Sequence, residues 1–110
     1  MKADLNFGLK VESLEKIQRV FMNFPEVEKC VVYGSRAMGN YQHNSNIDLT
    51  LIGKNLSLTE LFRIENELDD LLLPYQIDLS IFHQIDNPDL VNPIQKHGKT
   101  LYEKTPVLSR

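Results

Sequence analysis

The chain has 110 residues, enough for one modest core and too few for two. Its hydrophobic fraction of 42% and charged fraction of 25% are those of an ordinary globular protein. Twelve basic against fifteen acidic residues leave a net charge of −3 with no dense Lys/Arg run, so direct nucleic-acid binding is not expected.

No stretch approaches the ~20 apolar residues that span a bilayer. Residues 1–6 lack the apolar core of a secretory signal. No membrane association and a cytoplasmic location are therefore expected. The single cysteine, Cys30, cannot form an internal disulfide. It lies in an apolar run and reads as a buried structural thiol.

Residues 1–10 read as a loose lead-in. From about Val11 to Asn23 the pattern is helical, with Leu14, Ile17, Phe21 and Phe24 recurring at spacings of three and four. Pro25 closes that helix, because the residue before a proline avoids the α region. Residues 29–33 read as a short buried strand broken by Gly34-Ser35. Residues 36–45 are polar and turn-rich, with one helical turn at their start. Ile47 to Ile52 is a second strand.

Ser57 and Glu60 form the S-x-x-E pattern of a capping box, which starts the best-marked helix. Leu61, Ile64, Leu68, Leu71 and Leu72 form its apolar stripe, and Pro74 ends it. Tyr75 to Phe82 is a third strand. Asn87-Pro88 suits an N-cap and first turn. The helix it opens is expected to reach about His97, with Gly98 as its C′ residue and a kink or break at Pro93. Thr100 to Glu103 reads as a last short strand and residues 105–110 as a tail. The order is α/β around one small sheet, in a single domain over residues 1–110.

Strand side chains alternate between faces. In the second strand Ile47, Leu49 and Leu51 share one face, and Asp48 and Thr50 the other. In the third, Ile77, Leu79 and Ile81 oppose Asp78 and Ser80. Aspartate is depleted from strands, so two mid-strand aspartates ask for a reason. If the strands are neighbours, the carboxylates converge. Before the second strand, Gly34 lets backbone approach an anion closely. The Ser35 hydroxyl and nearby amides can hold phosphate oxygens, and Arg36 can add charge.

The full string runs Gly34-Ser35-Arg36-Ala37-Met38-Gly39, then residues 40–44, then Ser45-Asn46-Ile47-Asp48-Leu49, with ten residues between Ser35 and Asn46. It resembles the signature of the DNA polymerase β-like nucleotidyltransferase superfamily: Gly-Ser, ten residues, Asp-x-Asp and a third acid on a later strand. The wording is similar to the minimal nucleotidyltransferases of bacteria and archaea, and the resemblance covers about residues 12–103. It implies a nucleotidyltransferase fold, a small mixed β-sheet flanked by helices. Gly34 and Ser35 would contact the triphosphate, and Arg36, as the next residue, is expected to add its charge to that binding site. Asp48 would ligate Mg²⁺. Asp78 would be the third carboxylate, helping to activate the attacking hydroxyl. ATP would be the substrate.

Position 46 departs from the pattern, because the first Asp of the pair is Asn46 here. An amide keeps an oxygen but loses the charge, and it cannot bridge two metal ions as a carboxylate does. The implied metal set is Asn46, Asp48 and Asp78, with the full two-ion site in question. Three readings of Asn46 stay open: a natural variant with reduced or no turnover, a partly intact reacting site, or a substitution made to trap a complex. His43 reads as a solvated loop residue, His83 and His97 as structural or surface residues, and Glu65 to Asp70 as a solvated helix face.

The chain has no room for an acceptor domain, so the acceptor is expected from another protein or a second copy. In the minimal family that partner is commonly a HEPN-type helical protein. Members of that family act as the antitoxin of this partner, a toxin, and transfer AMP from ATP to one of its tyrosine hydroxyls. The resemblance implies that function here. The alternative is a catalytically impaired module that binds nucleotide or partner and neutralises a toxin by contact. An enzyme with a small-molecule acceptor, such as an antibiotic, is a third reading.

Overall fold

The computed structural model describes residues 6–105. Its order is α1 (Val11–Met22), β1 (Lys29–Tyr33), α2 (Ser35–Met38), β2 (Ile47–Ile52), α3 (Leu58–Asp70), β3 (Ile77–Ile81), α4 (Pro88–His97) and β4 (Lys99–Glu103). The four strands lie in the order β3-β2-β1-β4. β1 runs antiparallel to β2 and β4, while β2 and β3 are parallel. The parallel pair needs a crossover, and α3 supplies it. The sheet is therefore mixed and flanked by helices, as the α/β reading expects.

One face of the sheet carries the core. Cys30 and Val32, with Ile47, Leu49 and Leu51, are buried beneath Ile17 and Phe21 of α1 and Ile64 and Leu68 of α3. Burial pushes the Cys30 thiol well above its ordinary range, which keeps it unreactive. Val31 and Ile94 are buried outside that cluster. α4 packs near β1, and Gly98 permits the contact: a Cβ there would run into Ile94 O and the Val31 side chain. Among the described residues, no helix is long and apolar enough to cross a membrane.

Both halves of the capping box are made at Ser57 and Glu60. Several details differ from the sequence expectations, among them the lead-in, where Phe7 and Leu9 join the core. α3 ends at Asp70, before Pro74 is reached, because Leu72 turns left-handed at φ 54°. Leu72 is consequently 87% exposed and stands outside the apolar stripe. α4 runs as one continuous helix although Pro93 lies inside it, and Gly98 is extended at φ −63°, ψ 147° rather than left-handed. Its role is close approach, not a left-handed cap. The expected tail falls mostly outside the described residues.

Candidate active site

Parallel pairing of β2 with β3 places Asp48 beside Asp78 and Thr50 beside Ser80. Antiparallel pairing of β1 with β2 sets Tyr33 opposite Asp48 and Val31 opposite Thr50. Residues directly opposite share a face. A row of Tyr33, Asp48 and Asp78 thus crosses three strands on the face away from the main core. The convergence that depended on neighbouring strands is realised.

Two loops border the row. The first leaves β1 through Gly34, whose φ of 75° and ψ of −152° suit glycine alone among common residues. A Cβ at Gly34 would lie 2.6 Å from Asp48 Oδ2. The glycine therefore makes room for a carboxylate of the chain itself, a function that anion approach did not foretell. Ser35 follows at the first position of α2, half-buried. The second loop delivers Asn46, whose amide nitrogen donates to Asp78 Oδ2 at 3.1 Å. A carboxylate only accepts, so Asp78 fixes which end of the amide faces it.

Burial pushes the Asp48 carboxyl above its ordinary range. The charge of Asp78 and a side-chain hydrogen bond with it push the same way. Tyr33 was not foreseen. Its phenol is raised chiefly by burial and further by the Asp48 and Asp78 charges, against a hydrogen bond with Ser80. Ser80 Oγ also donates to Thr50 Oγ1 at 3.0 Å. These residues form a polar floor under the two aspartates. Residue parity in β1 could have marked Tyr33, but only once β1 was known to pair with β2.

Arg36 sits elsewhere than expected. Its side chain is buried, and the residue is only 3% exposed. Nη1 donates to Phe7 O at 2.8 Å, Nη2 to Ser45 O at 2.9 Å and His43 O at 3.5 Å, and Nε to Ser45 O at 3.2 Å. The guanidinium also lies 5.0 Å from the Tyr41 ring centroid and 5.3 Å from that of Tyr75. It offers no open face to a phosphate. It clamps the loop that carries Asn46 onto the segment before α1. His43 is exposed, and its backbone carbonyl is what this clamp uses.

The donor set suits one hard divalent ion better than two. Asp48 and Asp78 offer two adjacent carboxylates, and Asn46 an amide. Among the described residues, no group of three or more His, Cys, Asp or Glu is placed to hold a metal. A bridged pair of ions calls for the carboxylate that Asn46 replaces.

A family model described as "Polymerase beta, Nucleotidyltransferase" matches residues 15–106. No curated protein sequence is a significant match. Solved structures are similar in fold. A toxin–antitoxin complex with AMP-PNP has a TM-score of 0.65 at 22% identity, over 87% of this chain and 75% of that one. The toxin–antitoxin MntA-HepT gives 0.63 at 18%, over 86% and 74%. A complex of tri-AMPylated Shewanella oneidensis HEPN toxin with MNT antitoxin gives 0.61 at 18%, over 84% and 71%.

Proposed function

We propose that this chain, which belongs to the polymerase β nucleotidyltransferase family, transfers AMP from ATP to a hydroxyl on a partner protein, as the antitoxin of a HEPN-type toxin. The observation that carries this reading is the side-by-side register of Asp48 and Asp78, with Gly34 against the Asp48 carboxylate. The similar folds described as an AMP-PNP complex and as an AMPylated HEPN toxin with its antitoxin support the donor and the partner.

Each residue then has a task. Ser35 and the adjoining amides hold phosphate oxygens. Asp48 and Asp78 are the carboxylates that would hold Mg²⁺. Such an ion, when bound, polarises the phosphates and offsets the charge that develops on them. Asp78 accepts the acceptor's hydroxyl proton as that oxygen bonds to the α-phosphorus. The bond from the α-phosphorus to its bridging oxygen breaks, and pyrophosphate leaves. Asn46 donates to Oδ2 of Asp78 and so fixes the orientation of that carboxylate. With one carboxylate fewer, turnover is slower than an Asp-x-Asp site would give. Arg36 acts through the loop rather than on the triphosphate. A cytoplasmic location accompanies ATP as donor.

The Asn46–Asp78 bond also favours a second reading, a module that binds nucleotide and partner without turnover. One experiment separates them. The chain is incubated with a HEPN-type partner, Mg²⁺ and ATP labelled in the α-phosphate. Label on the partner supports transfer. A stable complex without label supports the binding module and refutes transfer.

A further inference from the structure

β3 is an outer strand, and among the described residues it pairs on one side only, with β2. In a parallel ladder the N–H and C=O of one residue point the same way, alternating along the strand. Gln76 O accepts from Ile47 N at 2.8 Å, which turns the backbone groups of Gln76, Asp78 and Ser80 toward β2. Those of Ile77 and Leu79 therefore face the open side. Along the core face of this edge run two adjoining hollows of about 410 and 300 Å³, sharing Leu68, Asp69 and Ile77. Glu65 and Leu79 line the second, and the exposed Leu72 borders the first.

Open edges are usually guarded by lysine, proline or a covering element. Residues 77–81 read Ile-Asp-Leu-Ser-Ile, with neither lysine nor proline, and their one charge is the site residue Asp78. Such an edge calls for a strand to cover it.

We propose that the β3 edge receives the partner segment that carries the acceptor hydroxyl, docked as an added strand. This rests on the transferase reading above. Alternation does the positioning: a residue opposite Asp78 shares its face, with Cβ atoms ~5 Å apart. A hydroxyl side chain there stands beside the carboxylate that takes its proton. Its two neighbours point into the trough between α3 and β3, where Leu68, Ile77 and Leu79 favour apolar side chains. Glu65 and Asp69 make the trough acidic, and α3 carries Glu60, Glu65, Glu67, Asp69 and Asp70 against Arg63 alone. The fitting segment is thus extended, alternates apolar residues around a hydroxyl residue, and is flanked by lysine or arginine. The acidic trough disfavours a nucleic-acid strand.

The test uses the full chain with Mg²⁺, AMP-PNP and a synthetic nine-residue peptide of alternating isoleucine and serine with a lysine at each end. Amide hydrogen exchange is expected to slow at Ile77 and Leu79 when the peptide is added. Leu79→Pro removes one outward N–H without breaking a bond to β2, and should weaken peptide binding about tenfold or more. Glu65→Lys with Asp69→Lys should weaken it too, most at low salt. AMP-PNP affinity on the same samples reports whether each variant keeps its nucleotide site. Unchanged exchange at both amides, or equal peptide affinity in all forms, overturns the docking proposal while intact AMP-PNP binding leaves the transferase reading standing. A wild-type chain that does not bind AMP-PNP defeats both.

Discussion

Asn46 and Asp78 are joined across two segments by an amide-to-carboxylate hydrogen bond of 3.1 Å. The amide does for Asp78 what a second carboxylate could not do without a cation, since two unprotonated carboxylates repel. Replacing it reverses the balance. Asn46→Asp should lower the melting temperature of the metal-free protein, because three carboxylates then crowd one site. In the presence of AMP-PNP it should raise the count of bound Mn²⁺ from one to two per chain and tighten cation binding by about tenfold, roughly 1.4 kcal/mol. Electron paramagnetic resonance titration reads both quantities. Equal counts in the two forms would refute the one-ion reading of this donor set.

Asp48 is held above its ordinary range by burial and by Asp78. A carboxyl raised in the folded state favours folding while protonated and opposes it once ionised. Its favourable contribution is complete below the ordinary carboxylate pKa, about 4, and is lost as pH rises through the folded-state value. Asp48→Asn should therefore melt higher than the wild type at pH 7 without metal, and the gap should close as pH falls below about 4. Adding Mg²⁺ and AMP-PNP should stabilise the wild type and not the variant. A variant that melts lower at pH 7 would show that the site does not oppose folding.

Much of this arrangement was legible before the fold was known, and the reasons are local. Alternation in Ile47–Ile52 and Ile77–Ile81 assigned Asp48 and Asp78 to one face each, because one face of each strand had to be buried. The capping box at Ser57 and Glu60 is written in four residues and formed as read. What stayed hidden depends on distant partners. Nothing near Arg36 in the sequence says that its donors will meet Phe7 O, 29 residues away. Tyr33 joins the site only through its pairing with Asp48. α3 stops short of Pro74 because a leucine, Leu72, takes the left-handed turn that glycine usually takes, and no local signal marks a leucine for that role.

Gly34 meets two demands at once. Its backbone conformation excludes most side chains, and the space of its missing Cβ is bounded by Asp48 Oδ2. Gly34→Ala should cost about 2–3 kcal/mol of stability from backbone strain alone. It should also push the Asp48 carboxylate out of place. AMP-PNP binding with Mg²⁺, measured by calorimetry well below the variant's melting temperature, should fall by at least about tenfold. Near-native nucleotide affinity would mean that the Asp48 position is not set by this contact.

Arg36 offers the sharpest choice between a structural and a ligand-binding role. As a clamp it satisfies the carbonyls of Phe7 and Ser45 with a planar fork, flanked by Tyr41 and Tyr75. Lysine keeps the charge but cannot serve these carbonyls in the same geometry. Arg36→Lys should therefore lose about 2–4 kcal/mol, nearly as much as Arg36→Met, because both leave buried carbonyls short of donors. Thermal melts of the nucleotide-free variants measure this directly. A phosphate contact would behave in the opposite way: the lysine variant would melt like the wild type and lose nucleotide affinity only. The clamp also makes a second forecast. Because the 43–46 segment hangs on Arg36, amide exchange at Asn46 and Ile47 should quicken in either variant, while exchange at Val32 in the strand centre changes only with global stability.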